Sequence, residues 1–265
     1  MHFAYLLAML SLFQRLPMIA NLLIGLIYSL SISWNVNGVS HNFIHNAYFK
    51  SFTLNRLFSL LESVTMGFSQ TMYDYVHRQH HIGNNDRLGK DGETVDWISI
   101  YRHGKNGQPE SALRYAFLSY FRDDPVRIYG LICKHSRWLA NFAVFEVILS
   151  FGLIISLFFI SWKLGLYFVF FYYLGHSLTA MNGYYEHLGS NPDKPITWGV
   201  SCYNKLYNFT WFNNGYHAEH HYRPKHHWTK MKELHESIKQ QQLEAGVKVI
   251  RWPHQFGFME KLLKD

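Results

Sequence analysis

Only two cysteines occur in 265 residues, Cys133 and Cys202. They are fewer than the four thiolates that usually hold an iron–sulfur cluster, and neither sits at the spacing of a structural zinc site. No GxGxxG loop marks a bound dinucleotide, so the chain carries no evident redox cofactor of its own. The zinc-peptidase pattern HExxH is also missing, because Glu219 directly precedes His220 in His217-Ala218-Glu219-His220-His221. That makes metal-assisted hydrolysis a poor reading. There is no internal repeat or low-complexity tract, and the N-terminus lacks the basic region and small-residue site of a cleavable signal peptide. The net charge of +7 and pI near 9.2 come without any nucleic-acid motif. An anionic membrane leaflet or an acidic electron donor explains them better, and no nucleic-acid partner is expected.

What is present is apolar sequence in two blocks. The mean hydropathy of −0.12 conceals Met1 to Val36 and Trp138 to Met181, separated by polar stretches long enough to build a cap. Residues 18–36 and 138–160 each approach the ~20 apolar residues that cross a bilayer. Gln14-Arg15-Leu16-Pro17 breaks the first block and Ser161-Trp162-Lys163 the second, so each predicts a helical hairpin, the first limb being short for a span. Arg15 and Lys163 lie in the two turns, and the other twenty-three of twenty-five basic residues lie in 37–137 and 182–265. The positive-inside rule makes those regions cytoplasmic; a disulfide is not expected there.

The fold class expected is an all-α membrane protein, two transmembrane hairpins (about four spans) under a cytoplasmic helical cap, in one domain. Residues 1–36 form the first hairpin, 37–137 the first part of the cap, 138–181 the second hairpin and 182–265 the rest of the cap. Residues 52–76 predict an amphipathic helix along the surface, 82–107 a loop over the site, and 229–243 a surface helix. Glu146 and His176 fall inside the second hairpin, both ~10 Å below one face. Such groups are costly in a membrane; they are expected to pair, either beneath a site or as a structural bond.

Eight of the seventeen histidines fall in three windows, His41-Asn42-Phe43-Ile44-His45, His77-Arg78-Gln79-His80-His81 and His217-Ala218-Glu219-His220-His221. On a helix, i and i+4 share a face, as do i and i+3, so HxxxH presents two imidazoles and each HxxHH three. Three such faces can enclose two metal ions. Imidazole suits Zn, Cu, Fe and Ni alike, so spacing does not choose the metal. Asn85, Asp86 and Asp96 are candidate acceptors for imidazole N–H groups. His2, His103, His135, His226, His227, His235 and His254 show no ligand spacing and read as surface or hydrogen-bonding residues.

These boxes, in this order and on a polar cap, resemble those of the membrane fatty acid desaturase and hydroxylase superfamily. The resemblance runs from about Asn35 to Trp228 and is sharpest from Asn213 through Asn214-Gly215-Tyr216 and the third box to Pro224. It implies a di-iron centre (two iron ions), O2 as oxidant, a lipid or fatty acyl substrate and an external electron donor of ferredoxin, rubredoxin or cytochrome b5 type. Gly183-Tyr184-Tyr185-Glu186-His187-Leu188-Gly189 is similar to the NYxEHYG element of alkane monooxygenases, with glycine for the leading asparagine and Leu188 for a tyrosine. Acyl-CoA desaturases carry an asparagine and a histidine four apart at this point, whereas Asn182 and His187 are five apart. By this resemblance His187 is the ninth ligand; Asn182, Glu186 and Glu219 join Asp86 and Asp96 as polar neighbours of the ligands.

The reading that follows is an O2-dependent membrane oxidoreductase acting on a fatty acyl chain, a desaturase first. Hydroxylation and oxidative decarboxylation remain open, since both begin with hydrogen abstraction as desaturation does, and so does carotenoid oxygenation, whose family shares the boxes. A non-enzymatic metal-handling protein would place ligands along a path through the bilayer, whereas these boxes cluster beyond helix ends. The acyl chain is expected between the hairpins, walled by Phe151, Phe158, Tyr167, Phe170 and Tyr173 with Glu146 and His176 nearby.

Overall fold

A computed structural model describes residues 1–263, with side chains through residue 260. In chain order the helices are α1 (His2–Leu12), α2 (Met18–Trp34), α3 (His41–His45), α4 (Phe52–Met66), α5 (Gln70–Gly83), α6 (Ala112–Leu118), α7 (Pro125–Cys133), α8 (Arg137–Ile160), α9 (Trp162–His187), α10 (Lys205–Thr210), α11 (His217–Tyr222) and α12 (Met231–Ala245). A π-helical stretch, Asn35–Ser40, joins α2 to α3 without a break. Among the described residues there is no strand, only isolated bridges at Lys105–Gln108 and Ser201–Val249.

The chain divides into two units. The first comprises residues 1–36, 47–75 and 123–178, the second 37–46, 76–122 and 179–265. Residues 47–75 and 123–137, expected in the cap, thus group with the apolar helices. Among the described residues three helices are long and apolar enough to cross a membrane, Met18–His45, Arg137–Ile160 and Trp162–His187. The first limb does not match them: the eleven residues of α1 reach about 16 Å, half the ~30 Å of hydrocarbon.

Two helices of the first unit, α4 and α8, have their side chains arranged inside out. Helix α8 buries Ala140, Ala143, Glu146 and Ser150 and exposes Phe145, Ile148, Phe151, Ile155 and Phe159. Helix α4 buries Ser59, Glu62, Ser63 and Thr65 while Phe52, Leu54, Leu57 and Leu61 are exposed. In water this would be costly. In a bilayer it is the expected order, because small and polar residues let helices approach and bond while bulky apolar ones meet lipid. The amphipathic surface helix predicted at 52–76 is therefore two elements, α4 and the start of α5, and the polar face of α4 is turned into the unit.

Hydrogen bonds tie much of that polar interior together. Glu146 accepts from Ser59 Oγ at 2.6 Å, Ser69 Oγ at 2.6 Å and the Thr71 amide at 3.0 Å. His176 Nε2 donates to the Met66 carbonyl at 2.9 Å, and Tyr172 Oη donates to the Gly67 carbonyl at 2.8 Å. Glu146 and His176 therefore do not pair as expected; both pin the α4–α5 turn, one from α8 and one from α9. Gly67 ends α4 at φ +73, and a Cβ there would lie 2.5 Å from the Tyr172 ring, so conformation and space both require glycine. His2, expected in a surface or hydrogen-bonding role, takes the second, buried between Ser31 Oγ (2.9 Å) and the Thr65 carbonyl (3.0 Å).

The second unit packs Ile100, Tyr101, Tyr115, Tyr184 and Tyr185 into a core. Buried Glu110 binds Arg122 through two bonds of 2.6 and 2.7 Å, and Tyr184 Oη holds the Glu110 carbonyl at 2.7 Å. No helix interrupts residues 84–111, which places the expected loop beside α5.

Candidate metal centre

All nine candidate ligands lie in the second unit, in two groups. His41, His45, His77, His81 and His220 form one; His80, His187, His217 and His221 form the other; within each, the ligand nitrogens lie within 4.8 Å of one another. Each HxxHH box is therefore split, rather than offering three rings in one direction. At about 100° per residue, positions i and i+4 differ by ~40°, but i+3 and i+4 diverge by ~100° and cannot reach the same point. His77 and His81 consequently serve one group and His80 the other; His217 and His221 serve the second and His220 the first.

The spacing of the nitrogens is that of ligands. The Nε2 atoms of His41 and His220 are 2.9 Å apart, of His45 and His77 2.8 Å, of His77 and His81 2.9 Å, and of His81 and His220 3.0 Å. In the other group His80 and His187 are 3.0 Å apart and His187 and His217 3.1 Å. Two nitrogens at ~2.1 Å from one ion and at right angles would be about 3.0 Å apart. Hydrogen bonding does not account for the pattern. An imidazole nitrogen has one lone pair or one proton, yet His77 Nε2 and His220 Nε2 each face two others.

The outer ring nitrogens sharpen the point. His80 Nδ1 lies 2.6 Å from Asp96 Oδ2, His187 Nδ1 3.1 Å from the Trp198 carbonyl and His221 Nδ1 2.8 Å from Asn84 Oδ1. Each acceptor requires the proton on Nδ1, which leaves Nε2 bare. The lone pairs of His80 and His187 then face each other at 3.0 Å, and buried His221 Nε2 has no hydrogen-bond partner. A shared cation resolves both. Burial pushes the imidazoles of His77, His81, His217, His220 and His221 well below the ordinary histidine range, so they are neutral at pH 7, the form in which imidazole can ligate a metal.

The expected polar neighbours take several roles. Asp96 meets His80; Asp86 instead caps the loop that carries Asp96, accepting from the Val95 and Asp96 amides at 2.8 and 2.9 Å. Asn85 Oδ1 accepts from the Ile100 amide at 3.0 Å and meets no histidine. Glu186 Oε1 accepts from Asn182 and Asn214, both at 2.7 Å, and stands 3.8 Å from His217 Nδ1. Glu219 bonds no ligand imidazole; it accepts from Ser201 (2.8 Å) and Tyr203 (2.8 Å) and meets His235 Nδ1 at 2.6 Å, fixing α11 from its outer side.

Three participants had no sequence signal of their own. Asn84 anchors His221 and is held at φ +50, a conformation asparagine tolerates. His254, expected in a surface or hydrogen-bonding role, takes the second and is fully buried, donating from Nε2 to the Val200 carbonyl at 2.9 Å and accepting from Tyr207 Oη at 3.1 Å. Phe212, at φ +51, is strained for a bulky residue and packs edge-on against Trp228 at 5.5 Å. With Trp228, His41, His217 and His220 it lines a cavity of about 20 Å³, room for one water-sized molecule beside members of both groups.

The residues expected to wall a substrate slot are placed differently. Phe151, Phe158 and Phe170 are 45, 39 and 60% exposed, which suits a lipid-facing surface rather than an enclosed slot. Tyr167, half-buried, donates to the Asn21 carbonyl at 2.7 Å, and Tyr173 is half-buried.

Compared with known proteins, residues 17–253 match the model of a family described as fatty acid desaturase. No curated protein and no solved structure matches the chain.

Proposed function

The chain belongs to the fatty acid desaturase family, and on that footing we propose that it is a di-iron, O2-dependent oxidoreductase that introduces a double bond into a fatty acyl chain at the cytoplasmic face of a membrane. The family makes it an integral membrane enzyme that modifies fatty acids; the metal, the reaction and the side of the membrane are our reading.

The observation that carries it is the division of nine buried or half-buried imidazoles into groups of five and four in which neighbouring nitrogens stand 2.8–3.1 Å apart. Bound there, two iron ions would supply, with O2, the oxidising power needed to take hydrogen from an unactivated C–H bond. The protein holds the nitrogens bare and aimed inward. Asp96, Asn84 and the Trp198 carbonyl keep the proton on the outer nitrogen of three rings, and burial keeps bulk water from the rest. The cytoplasmic side follows from the charge asymmetry, Arg15 and Lys163 standing apart from all other basic residues.

A second reading has one specific observation in its favour. His187, from the Glu186-His187 element similar to that of alkane monooxygenases, joins the four-membered group; hydroxylation is therefore the alternative outcome. Mass spectrometry of lipids from cells expressing the protein, with a His187→Ala control, separates them. A new double bond, absent in the control, is expected. A new hydroxyl would favour the second reading. Unchanged lipids together with no substrate-dependent O2 uptake by iron-loaded protein would overturn both.

A further inference from the structure

Directly after the third histidine box the chain reads Arg223-Pro224-Lys225-His226-His227-Trp228-Thr229-Lys230-Met231-Lys232. Four fixed positive charges and two histidines fall in ten residues with no acid among them. Arg223, Lys225, His227, Lys230 and Lys232 are exposed; Glu233 follows and pairs with Lys230 at 2.9 Å. The apolar members are turned inward: Met231 is buried, and Trp228 packs against Phe212 and lines the cavity shared with His41, His217 and His220. Asn213 Nδ2 donates to the Trp228 carbonyl at 3.1 Å, tying the segment to the loop ahead of the box. Trp228 thus belongs to the charged segment and lines the same cavity as three of the histidines.

The same unit carries an exposed apolar stripe by contrast. Leu113, Phe117 and Phe121, at successive turns of α6 and the 3-10 turn after it, are 65, 44 and 68% exposed. That stripe is apolar where Arg223–Lys232 is charged and offers no exposed apolar anchor. The basic segment suits an acidic, water-soluble surface rather than a bilayer.

The electrons have to come from such a surface. Desaturation converts –CH2–CH2– and O2, with two electrons and two protons, into –CH=CH– and two molecules of water. The substrate gives up two hydrogens, O2 is reduced to water, and the remaining two electrons and two protons come from outside. The chain has two cysteines and no dinucleotide loop to supply them. We propose that Arg223–Lys232 is the docking face for a small acidic one-electron carrier protein, with Trp228 standing between that face and the histidines. Two carriers dock in turn, each oxidised by one electron, and the protons come from water. This rests on the oxidoreductase reading above.

The test compares iron-loaded wild type with Lys225→Glu/Lys230→Glu/Lys232→Glu and with the charge-preserving triple Lys→Arg variant. Turnover is driven either by whichever of an acidic ferredoxin, a rubredoxin and a cytochrome b5 works best, or by dithionite. Charge reversal is expected to raise the KM for the carrier about tenfold or more, with KM falling in the wild type as salt is lowered. It should leave the acyl-substrate KM and dithionite-driven turnover unchanged, and the arginine variant should behave as wild type. Carbodiimide cross-linking, read without turnover, should join the carrier to Lys225, Lys230 or Lys232. An unchanged carrier KM in the reversal variant overturns the proposal. So does a wild type that turns over with dithionite but with none of the three carriers, or a reversal variant whose only defect is weaker binding to vesicles of phosphatidylserine and phosphatidylcholine. No turnover even with dithionite counts instead against the oxidoreductase reading.

Discussion

The two histidine groups are built from different materials. The five-membered group takes two i, i+4 pairs, His41/His45 on α3 and His77/His81 on α5, and completes them with His220; helix periodicity does nearly all the work. The four-membered group has a single i, i+4 pair, His217/His221, and gathers His80 from α5 and His187 from the last residue of α9. Three of its rings are steadied by a carboxylate, an amide and a backbone carbonyl from loops. One position is defined by helices and the other by what holds its rings, so the two candidate metal sites should respond differently to mutation.

The largest effect should come from removing ligands one group at a time. His45→Ala should lower iron occupancy of the five-membered position and His187→Ala that of the four-membered one, each by more than the 10–100-fold a supporting residue costs. Iron content with lipid product analysis checks this; equal loss of both ions from either variant would break the distinction. Asp96→Asn comes next. Keeping size but removing charge from the partner of His80 should weaken the four-membered position alone by about 10–100-fold, read by competition with a chelator. Asn84→Ala removes a neutral acceptor from His221 and should cost that position about three- to tenfold, the value of one hydrogen bond.

Over the physiological range pH should matter least, and alike in both groups. The imidazoles of His77, His81, His217, His220 and His221 are held well below 6.5 by burial, whereas the unfolded chain titrates near ~6.5. Below that pH the unfolded state binds more protons, so the stability of metal-free protein should fall as pH drops and be flat in this respect above ~7. Each such histidine adds up to about 1.4 kcal/mol per pH unit. Thermal melts from pH 5 to 8 in detergent check the sign; stability rising toward pH 5 would contradict neutral rings.

The same contrast explains what was legible in the sequence. Box spacing names eight of the nine histidines because i, i+4 neighbours on a helix are local facts, and His187 came only by resemblance. The long apolar runs name α2, α8 and α9 because hydropathy is read residue by residue. The split of each HxxHH follows from helical phase, yet which half meets which partner depends on α3, α5, α9 and α11 together. Asn84, His254 and Phe212 give no signal, because an asparagine after a helix, a histidine without ligand spacing or an aromatic in a loop is ordinary until tertiary contacts place it. The pairing of Glu146 with His176 was argued from depth alone. Depth does not fix azimuth, and Ser59, Ser69 and Thr71 supplied nearer donors. The aromatic wall drawn from Phe151, Phe158 and Phe170 took bulky apolar residues to face inward, whereas in this bundle they face out.

The most direct test of the central claim is Mössbauer spectroscopy of protein loaded with ⁵⁷Fe, together with its iron content. Two irons per chain giving two quadrupole doublets of equal area and different parameters is the result predicted for one five-histidine and one four-histidine position. A single iron per chain, or two irons giving one doublet, would contradict it.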